Sequence, residues 1–222
     1  MNTHELYHDN IGAVELIDYM GDDKRAVDAA RVSFMRDNTS KALTDKDKRL
    51  IKFLADHRHT SPFEHMTATF RLTVPLFVRS QIMRHRTFSY NEVSRRYTSE
   101  NIQVWKPTAL RKQSTDNLQC SAGDLDNHLA LNLVHMSILS SVESYHDLIN
   151  RGVSRELARA VLPQATYTTF YMTGNLHNWV KFLKLRNDDH AQPETREAAQ
   201  AIEKMLSEHF PVTMQALFNG ES

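Results

Sequence analysis

Strict alternation of side-chain type between Met66 and Val74 is the feature that most constrains this fold. The apolar members of the segment are Met66, Ala68, Phe70, Leu72 and Val74, and the polar members are Thr67, Thr69, Arg71 and Thr73. Successive side chains of a strand point to opposite faces, so the pattern predicts a strand with one buried face and one polar face. A second strand is predicted over residues 164–173, which are rich in Thr, Tyr and Phe.

Helical patterns occupy most of the rest of the chain. Thr44, followed three residues later by Asp47, predicts a capping box at the start of a helix that runs to about Asp56. Pro75 suits the first position of a helix that runs to about Arg84. A first strand is predicted over 14–20, with a turn over 21–23. Further helices are predicted over 24–34, 124–150, 155–162, 176–186 and 193–209, with a short one after Pro211.

These patterns predict an α+β fold: a helix-rich single domain over residues 1–222 with a small, mostly antiparallel sheet. Residues 57–65, 87–98 and 106–123 are predicted to be irregular, the first with at most one helical turn. The longest helix is expected to bury one apolar face. Its candidate core residues are Leu129, Leu133, Met136, Ile138, Leu139, Val142, Tyr145 and Ile149.

Charge and composition restrict the function classes. The 27 Lys and Arg residues balance the 27 Asp and Glu residues, so the chain has no net field with which to hold a nucleic acid. Cys120 is the only cysteine, which excludes an internal disulfide and fits a reducing cytoplasm. We expect no signal peptide, because the N-terminal residues are polar, and no membrane span, because no apolar run approaches ~20 residues.

The clearest candidate for chemistry is a basic segment. Arg84-His85-Arg86 is followed by seven residues and then by Ser94-Arg95-Arg96. Arginine offers a planar fork that binds phosphate through two hydrogen bonds, and serine adds a further donor. The segment therefore indicates a phosphate-binding loop at the end of a helix. A solvated, charged turn is the alternative interpretation.

Three other polar clusters each have two interpretations. His57, His59 and His65 either hold a metal or are exposed loop histidines. Arg186, which precedes Asp188, Asp189 and His190, either complements a helix C-terminus or recognises a ligand. Arg155 and Arg159 are four positions apart, so the two share a helix face that either meets an anion or belongs to an ordinary amphipathic helix.

Together these segments resemble the flavin-dependent thymidylate synthase family. The Arg-His-Arg motif, its seven-residue spacing to Ser94, and Asn91-Glu92 between them match the family signature. Thr60 to His65, Arg155 to Arg159, and Leu185-Arg186 with His190-Ala191-Gln192 match accessory segments in the same order. The resemblance covers the chain from about His57 to the last helix. It implies the family fold and the reductive methylation of dUMP to dTMP.

The resemblance also implies ligands and residue roles. FAD would pass hydride from NADPH, and 5,10-methylenetetrahydrofolate would supply the carbon and leave as tetrahydrofolate. The family is homotetrameric, with active sites shared between subunits. The residues implied to bind FAD are His59, Ser61, Arg84, His85, Arg86, Glu92, Asn175, Leu176, His177 and Lys181. Those implied to bind dUMP are Gln81, Arg84, Glu92, Val93, Ser94, Arg95, Arg96, Arg159 and Arg186.

Arg186 is the residue implied to be catalytic, because it would lie against the uracil and stabilise negative charge on the ring. Lys181 departs from the family, which has asparagine near this position, and residues 106–123 match no family pattern. Cys120 has no basic neighbour in sequence to activate it, so we expect chemistry without an enzyme nucleophile. The resemblance implies no metal site.

Two other functions remain as alternatives. A metal-dependent phosphohydrolase would use His57, His59, His65, Asp188, Asp189 and His190 as ligands. A nucleic-acid-binding module would use the basic segment from Arg84 to Arg96, but the chain has zero net charge.

Overall fold

A five-stranded antiparallel sheet forms the centre of the fold. The computed structural model describes residues 2–33 and 42–219. The strand order is β1-β2-β3-β7-β4, and a separate hairpin pairs β5 with β6. The strands are β1 (Thr3–Glu5), β2 (Ala13–Met20), β3 (Thr67–Pro75), β4 (Ser89–Glu92), β5 (Leu110–Gln113), β6 (Ser121–Leu125) and β7 (Tyr167–Asn175).

Helices outweigh strands in the described part of the chain. They are α1 (Asp23–Val32), α2 (Asp45–Asp56), α3 (Leu76–Ile82), α4 (His128–Asn150), α5 (Arg155–Ala158), α6 (Leu176–Arg186), α7 (Pro193–His209) and α8 (Pro211–Asn219). Two 3-10 turns cover Ser61–His65 and Arg159–Val161. The predicted helix-rich α+β class with a small antiparallel sheet is confirmed, and a single domain over 1–222 stays a prediction. In the described ranges, no helix has both the length and the apolar character that crossing a membrane requires.

The alternating strand organises the core as predicted. Phe70, Leu72 and Val74 of β3 are fully buried, while the alternate positions carry polar side chains toward the other face. Phe70 packs edge-to-face on Trp179 of α6, with ring centroids 5.0 Å apart. On the polar face, Thr69 shares a hydrogen bond with Thr173 of β7 at 2.9 Å. The sheet thus buries one face beneath helices and keeps the other polar.

Several local predictions are confirmed or corrected. The capping box of Thr44 and Asp47 is present at the start of α2. Pro75 is the N-cap of α3 instead of its first helical residue. Asp22 caps α1, so this helix begins at Asp23; the predicted end at Phe34 lies outside the described residues.

Two segments predicted to be irregular contain strands. Residues 87–98 include β4, which pairs with β7 at the edge of the sheet. Residues 106–123 contain β5 and most of β6, so Asp124 belongs to a strand and α4 begins only at His128. Both β4 and the hairpin are short and largely exposed. They therefore lack the apolar alternation that marks a half-buried strand.

The predicted apolar face of α4 is only partly covered. Ile138 and Tyr145 are buried as predicted. Leu129, Leu133 and Met136 are exposed by 82%, 68% and 64%, and Leu139 is exposed too, so their assignment to the core of this chain was wrong. Periodicity predicts that a helix has an apolar face, but not which surface covers it. These four residues form an exposed stripe along α4, called the α4 stripe below.

Gly174 of β7 tests how tightly the sheet holds the segment after Arg86. A Cβ atom at Gly174 would lie 2.4 Å from Cδ1 of Phe88, whose ring packs on Trp179 at a centroid distance of 4.7 Å. Gly174→Ala is therefore expected to lower the free energy of unfolding by about 1–3 kcal/mol, because Phe88 must move. Chemical denaturation measures this change.

Gly123→Ala is the matched control, since a Cβ atom there meets nothing within 4 Å. Equal stability of the two variants would contradict the tight packing of Phe88 against β7.

Candidate active site

A cavity of about 780 Å³ opens where the ends of α3 and α6 meet the start of α7, with the β5–β6 hairpin as its fourth wall. Positive charge dominates its lining. The cationic residues are Arg84, Arg111, Lys112, Arg186 and Arg196; the other lining residues include Gln81, Cys120, Asp189, His190 and Gln192. Such a site suits an anionic ligand with polar edges.

The Arg84-His85-Arg86 motif forms the turn that follows α3. Main-chain bonds from Arg84 to Gln81 and from His85 to Ile82 close this turn. The hydroxyl of Tyr90, on β4, donates to the carbonyl oxygens of His85 at 2.8 Å and Ile82 at 3.2 Å. Because β4 pairs with β7, the sheet fixes the position of the motif. Burial raises the pKa of Tyr90 to about 12, so its hydroxyl remains a donor.

Arg186, the last residue of α6, crosses to this turn. Its Nη2 donates to the carbonyl oxygen of Gln81 at 2.8 Å, and its Nε donates to Nε2 of His85 at 3.0 Å. Both bonds leave α6, which favours the interpretation that Arg186 serves a site over a role at its own helix terminus. Burial lowers the pKa of Arg186, a cost that a charged ligand would offset.

His85 is held in its neutral form. An arginine has no acceptor, so Nε2 of His85 must carry the lone pair and Nδ1 the proton. Burial lowers the pKa of His85 to about 4, and the charge of Arg186 adds to the effect. The ring also packs edge-to-face on Phe182, with centroids 4.9 Å apart. Arg186 therefore carries the only positive charge of this pair at neutral pH.

The remaining predicted nucleotide residues lie outside the lining of this cavity: Glu92 ends β4, residues 93–96 follow it, and Arg159 lies in the second 3-10 turn. Glu92 accepts bonds from Arg79, the shortest at 2.5 Å, and from Thr168 at 2.8 Å. Val93 is exposed, and its N–H donates to Thr169. Val93 and Arg95 line a separate cavity of about 240 Å³.

The four other polar residues of this group have different surroundings. Arg95 is bound by the carbonyl oxygens of Glu100 and Asn101, and Arg96 lies 3.9 Å from Glu156. The hydroxyl of Ser94 accepts from the N–H of Arg96, and Arg159 is exposed in the second 3-10 turn.

Six of the ten predicted cofactor residues form a third group around the start of α6. Ser61 and His59 are exposed at the first 3-10 turn, which packs against α6. Burial and the charge of Lys181 lower the pKa of His177, and the nearby Glu64 opposes this effect. Asn175 caps α6, while Leu176 is buried in the core. Arg86 is exposed.

The structure brings together only part of the predicted site. Gln81, Arg84 and Arg186 line one cavity and His85 binds Arg186, while residues 92–96, Arg159 and the start of α6 are not part of that lining. The metal interpretation required several converging ligands. Within residues 2–33 and 42–219, no three His, Cys, Asp or Glu side chains form such a group. His190 instead lies beside Asp188, at 2.8 Å.

Sequence analysis missed several cavity residues. Arg111, Lys112 and Cys120 reach the cavity from a segment that was predicted to be a loop. Cys120 has no basic neighbour in sequence, but it shares the cavity lining with Arg111 and Lys112, and its thiol donates to the carbonyl oxygen of His190 at 3.3 Å. Gln192 belongs to the matched segment His190-Ala191-Gln192, but the sequence analysis gave it no role. Its position just before the predicted helix start at Pro193 was the one signal that could have marked it.

Comparison with known proteins identifies the family. The family described as thymidylate synthase complementing protein matches residues 15–212. A flavin-dependent thymidylate synthase from Thermus thermophilus is 42% identical over 205 residues, covering 92% of this chain and 75% of the relative. One from Thermosipho africanus is 41% identical over 208 residues, covering 92% and 90%. The solved structure of a UMP/dUMP methylase, PolB from Streptomyces cacaoi bound with 5-Br dUMP, has a TM-score of 0.85, 34% identity and 97% coverage of both chains.

The solved methylase structure has the same fold as this chain. The chain belongs to the flavin-dependent thymidylate synthase family. The prediction of this enzyme class from the sequence is confirmed, and the metal phosphohydrolase and the nucleic-acid-binding module are set aside.

The bond between Arg186 and His85 makes a prediction about pH. The pKa of His85 falls from 6.5 to about 4 on folding, so the neutral ring stabilises the folded state above pH 6.5. This contribution is lost as the pH falls from 6.5 toward 4, because the unfolded chain takes up the proton first. NMR titration of the His85 ring, assigned with a His85→Gln variant, measures the pKa. A midpoint near 6.5 would contradict the burial of the His85 ring beside Arg186.

Proposed function

We propose that this chain converts dUMP to dTMP, with 5,10-methylenetetrahydrofolate as carbon donor and NADPH, acting through FAD, as hydride source. The observation that carries the proposal is the half-buried Arg186 guanidinium, held beside neutral His85 in a cationic cavity. Two relatives that are flavin-dependent thymidylate synthases, and a methylase bound with 5-Br dUMP, support the substrate.

The cavity fits a nucleoside monophosphate. Arg84 lines it, and in the described part of the chain its guanidinium takes part in no hydrogen bond or ion pair. An unpaired arginine at a cavity wall is suited to bind phosphate through two hydrogen bonds. Gln81 and Arg186 would contact the same nucleotide, and Val93, Ser94, Arg95, Arg96 and Arg159 would contact the nucleotide of another subunit's site.

The chain also offers a surface that fits an anionic flavin nucleotide. Arg86 and Lys181 are exposed and form no ion pair among the described residues, while Ser61 and His59 add polar groups at the neighbouring turn. Arginine, lysine and serine are the donors expected around a pyrophosphate. These residues, with Arg84, His85, Glu92 and the start of α6 from Asn175 to His177, would hold FAD. When bound, the flavin supplies the hydride.

Arg186 would act by electrostatics. Methylation at C5 of uracil requires electron density on that carbon, and the ring oxygens gain negative charge as the density develops. A fixed cation in a partly desolvated site stabilises such charge strongly, because no solvent must reorganise. His85 orients the guanidinium through its hydrogen bond to Nε of Arg186. Because its ring is neutral, it does not compete with Arg186 for the negative charge of the ligand. Cys120 has no part in this step, and its thiol donates to the carbonyl oxygen of His190.

We further propose a homotetramer with shared active sites, working in the cytoplasm. Two observations support shared sites. The α4 stripe is exposed on the single chain, and some predicted nucleotide residues line one cavity while Val93 and Arg95 line another. A contiguous apolar surface of this kind is typical of subunit interfaces. The single cysteine supports the cytoplasmic location.

Replacement of Arg186 tests the proposed chemistry. Arg186→Ala is expected to lower kcat for dTMP formation by about 100-fold or more, since it removes the cation that stabilises the uracil ring. Formation of dTMP from dUMP, methylenetetrahydrofolate and NADPH by the FAD-loaded protein is the measurement.

Lys184→Ala is the matched control, because Lys184 is exposed on the same helix and does not line the cavity. Its kcat should stay within about twofold of the parent value. Near-normal turnover of a folded Arg186→Ala protein would overturn the role of Arg186.

Introduction of a charge into the α4 stripe tests the assembly. Leu133→Glu is expected to convert the tetramer to smaller species, because an unpaired carboxylate is costly in an apolar interface. Light scattering after size-exclusion chromatography measures the mass. Gln200→Glu adds the same charge on the exposed face of α7 and should leave the mass unchanged. A tetramer that survives Leu133→Glu would exclude the α4 stripe as the interface.

A further inference from the structure

A buried carboxylate lies behind the cavity wall. Glu194, in the first turn of α7, is only 6% exposed. Its two oxygens accept from Nη2 of Arg111 at 2.7 and 3.0 Å. One of them, Oε2, also accepts from Nε2 of Gln192 at 2.9 Å. The proposed roles of the family residues do not use this carboxylate, although it is bound to two residues of the cavity lining.

A chain of side-chain amides connects Glu194 to Gln81. Gln192 gives its amide N–H to Glu194 and turns its oxygen toward Gln81, whose Nε2 donates to that oxygen at 2.5 Å. The oxygen of Gln81 in turn accepts from the hydroxyl of the fully buried Thr195, at 3.2 Å. Two consecutive hydrogen bonds therefore run from a buried carboxylate to Gln81 on the cavity wall, and a third joins Gln81 to buried Thr195.

The carboxylate determines the order of donors and acceptors along this series of hydrogen bonds. An amide has a donor end and an acceptor end and can turn over, and a hydroxyl can serve in either sense. An ionised carboxylate can only accept, so Gln192 must present its N–H₂ to Glu194 and its oxygen to Gln81. The N–H₂ of Gln81 must then face Gln192. Arg111 pairs with the carboxylate, as a buried charge requires.

We propose that Glu194 is a positioning residue that fixes the side-chain amide of Gln81 with its second N–H directed to an oxygen acceptor of the bound nucleotide. The acceptor is either a phosphate oxygen or a uracil carbonyl oxygen. The inference rests on the proposed function, because it takes dUMP as the ligand. Gln81 also holds Arg186 through its main-chain oxygen, so the same residue anchors the catalytic cation and contacts the substrate.

The test is a double-mutant cycle on dUMP binding to the FAD-loaded protein, measured by isothermal titration calorimetry. Glu194→Gln is expected to weaken dUMP binding about tenfold, because a glutamine at 194 can donate as well as accept and no longer fixes the orientation of the Gln192 and Gln81 amides. In a Gln81→Ala background the same substitution should cost less than twofold further, since the group that it positions is gone.

Gln192→Leu provides a second route that leaves the pair of Glu194 and Arg111 intact. It should weaken dUMP binding as much as Glu194→Gln does, with little change in melting temperature. If Glu194→Gln does not fold, Gln192→Leu and its double variant with Gln81→Ala complete the cycle. Glu197→Gln is the matched control, because this half-buried carboxylate of α7 accepts from the N–H of Tyr7 and takes no part in the hydrogen bonds that link Glu194 to Gln81. It should bind dUMP as the parent does.

The ligand end of the bond is identified with deoxyuridine, which lacks the phosphate. If the acceptor is a uracil oxygen, Glu194→Gln weakens binding of both ligands; if it is a phosphate oxygen, only dUMP is affected. The inference is overturned if Glu194→Gln weakens dUMP binding by the same factor with and without Gln81→Ala. It is also overturned if either Glu194→Gln or Gln192→Leu binds dUMP as tightly as the parent does. In both cases the proposed function stands. A parent protein that binds no dUMP would overturn both.

Discussion

The contact of Arg186 with the turn after α3 is the interaction on which the site depends. It joins residues about a hundred positions apart in sequence, since Arg186 ends α6 and His85 follows α3. Each partner is fixed by a different part of the sheet. β3 leads directly into α3, and β7 leads directly into α6. Because β3 and β7 pair along their full length, the two helices leave the sheet at opposite ends of the paired strands and return to meet at one cavity.

The direction of hydrogen bonds then determines the electrostatics. Arg186 can only donate, so His85 must accept and stay neutral. Glu194 can only accept, so Gln192 and Gln81 must align toward it. A permanent donor and a permanent acceptor thus order the groups between them. The result is a cavity that concentrates positive charge while its neutral groups have defined orientations, which is how a protein prepares a site for developing negative charge.

The sequence predicts the parts of this arrangement that have local signals. Alternation from Met66 to Val74 and the capping box at Thr44 depend on neighbours a few residues away, and both are confirmed. The contact of Arg186 with His85 has no local signal: their separate segments marked both residues as candidates, but no pattern predicted that the two side chains meet. The hairpin was missed because polar, exposed strands lack periodicity. The α4 stripe was misassigned because an apolar face looks the same whether its own chain or a partner covers it.

The most direct test of the central claim is the visible absorption spectrum of the purified protein with FAD, recorded before and after addition of dUMP. The account predicts a bound-flavin spectrum that shifts when dUMP is added, because nucleotide and cofactor would share one site. Free-flavin absorption that dUMP leaves unchanged would contradict it.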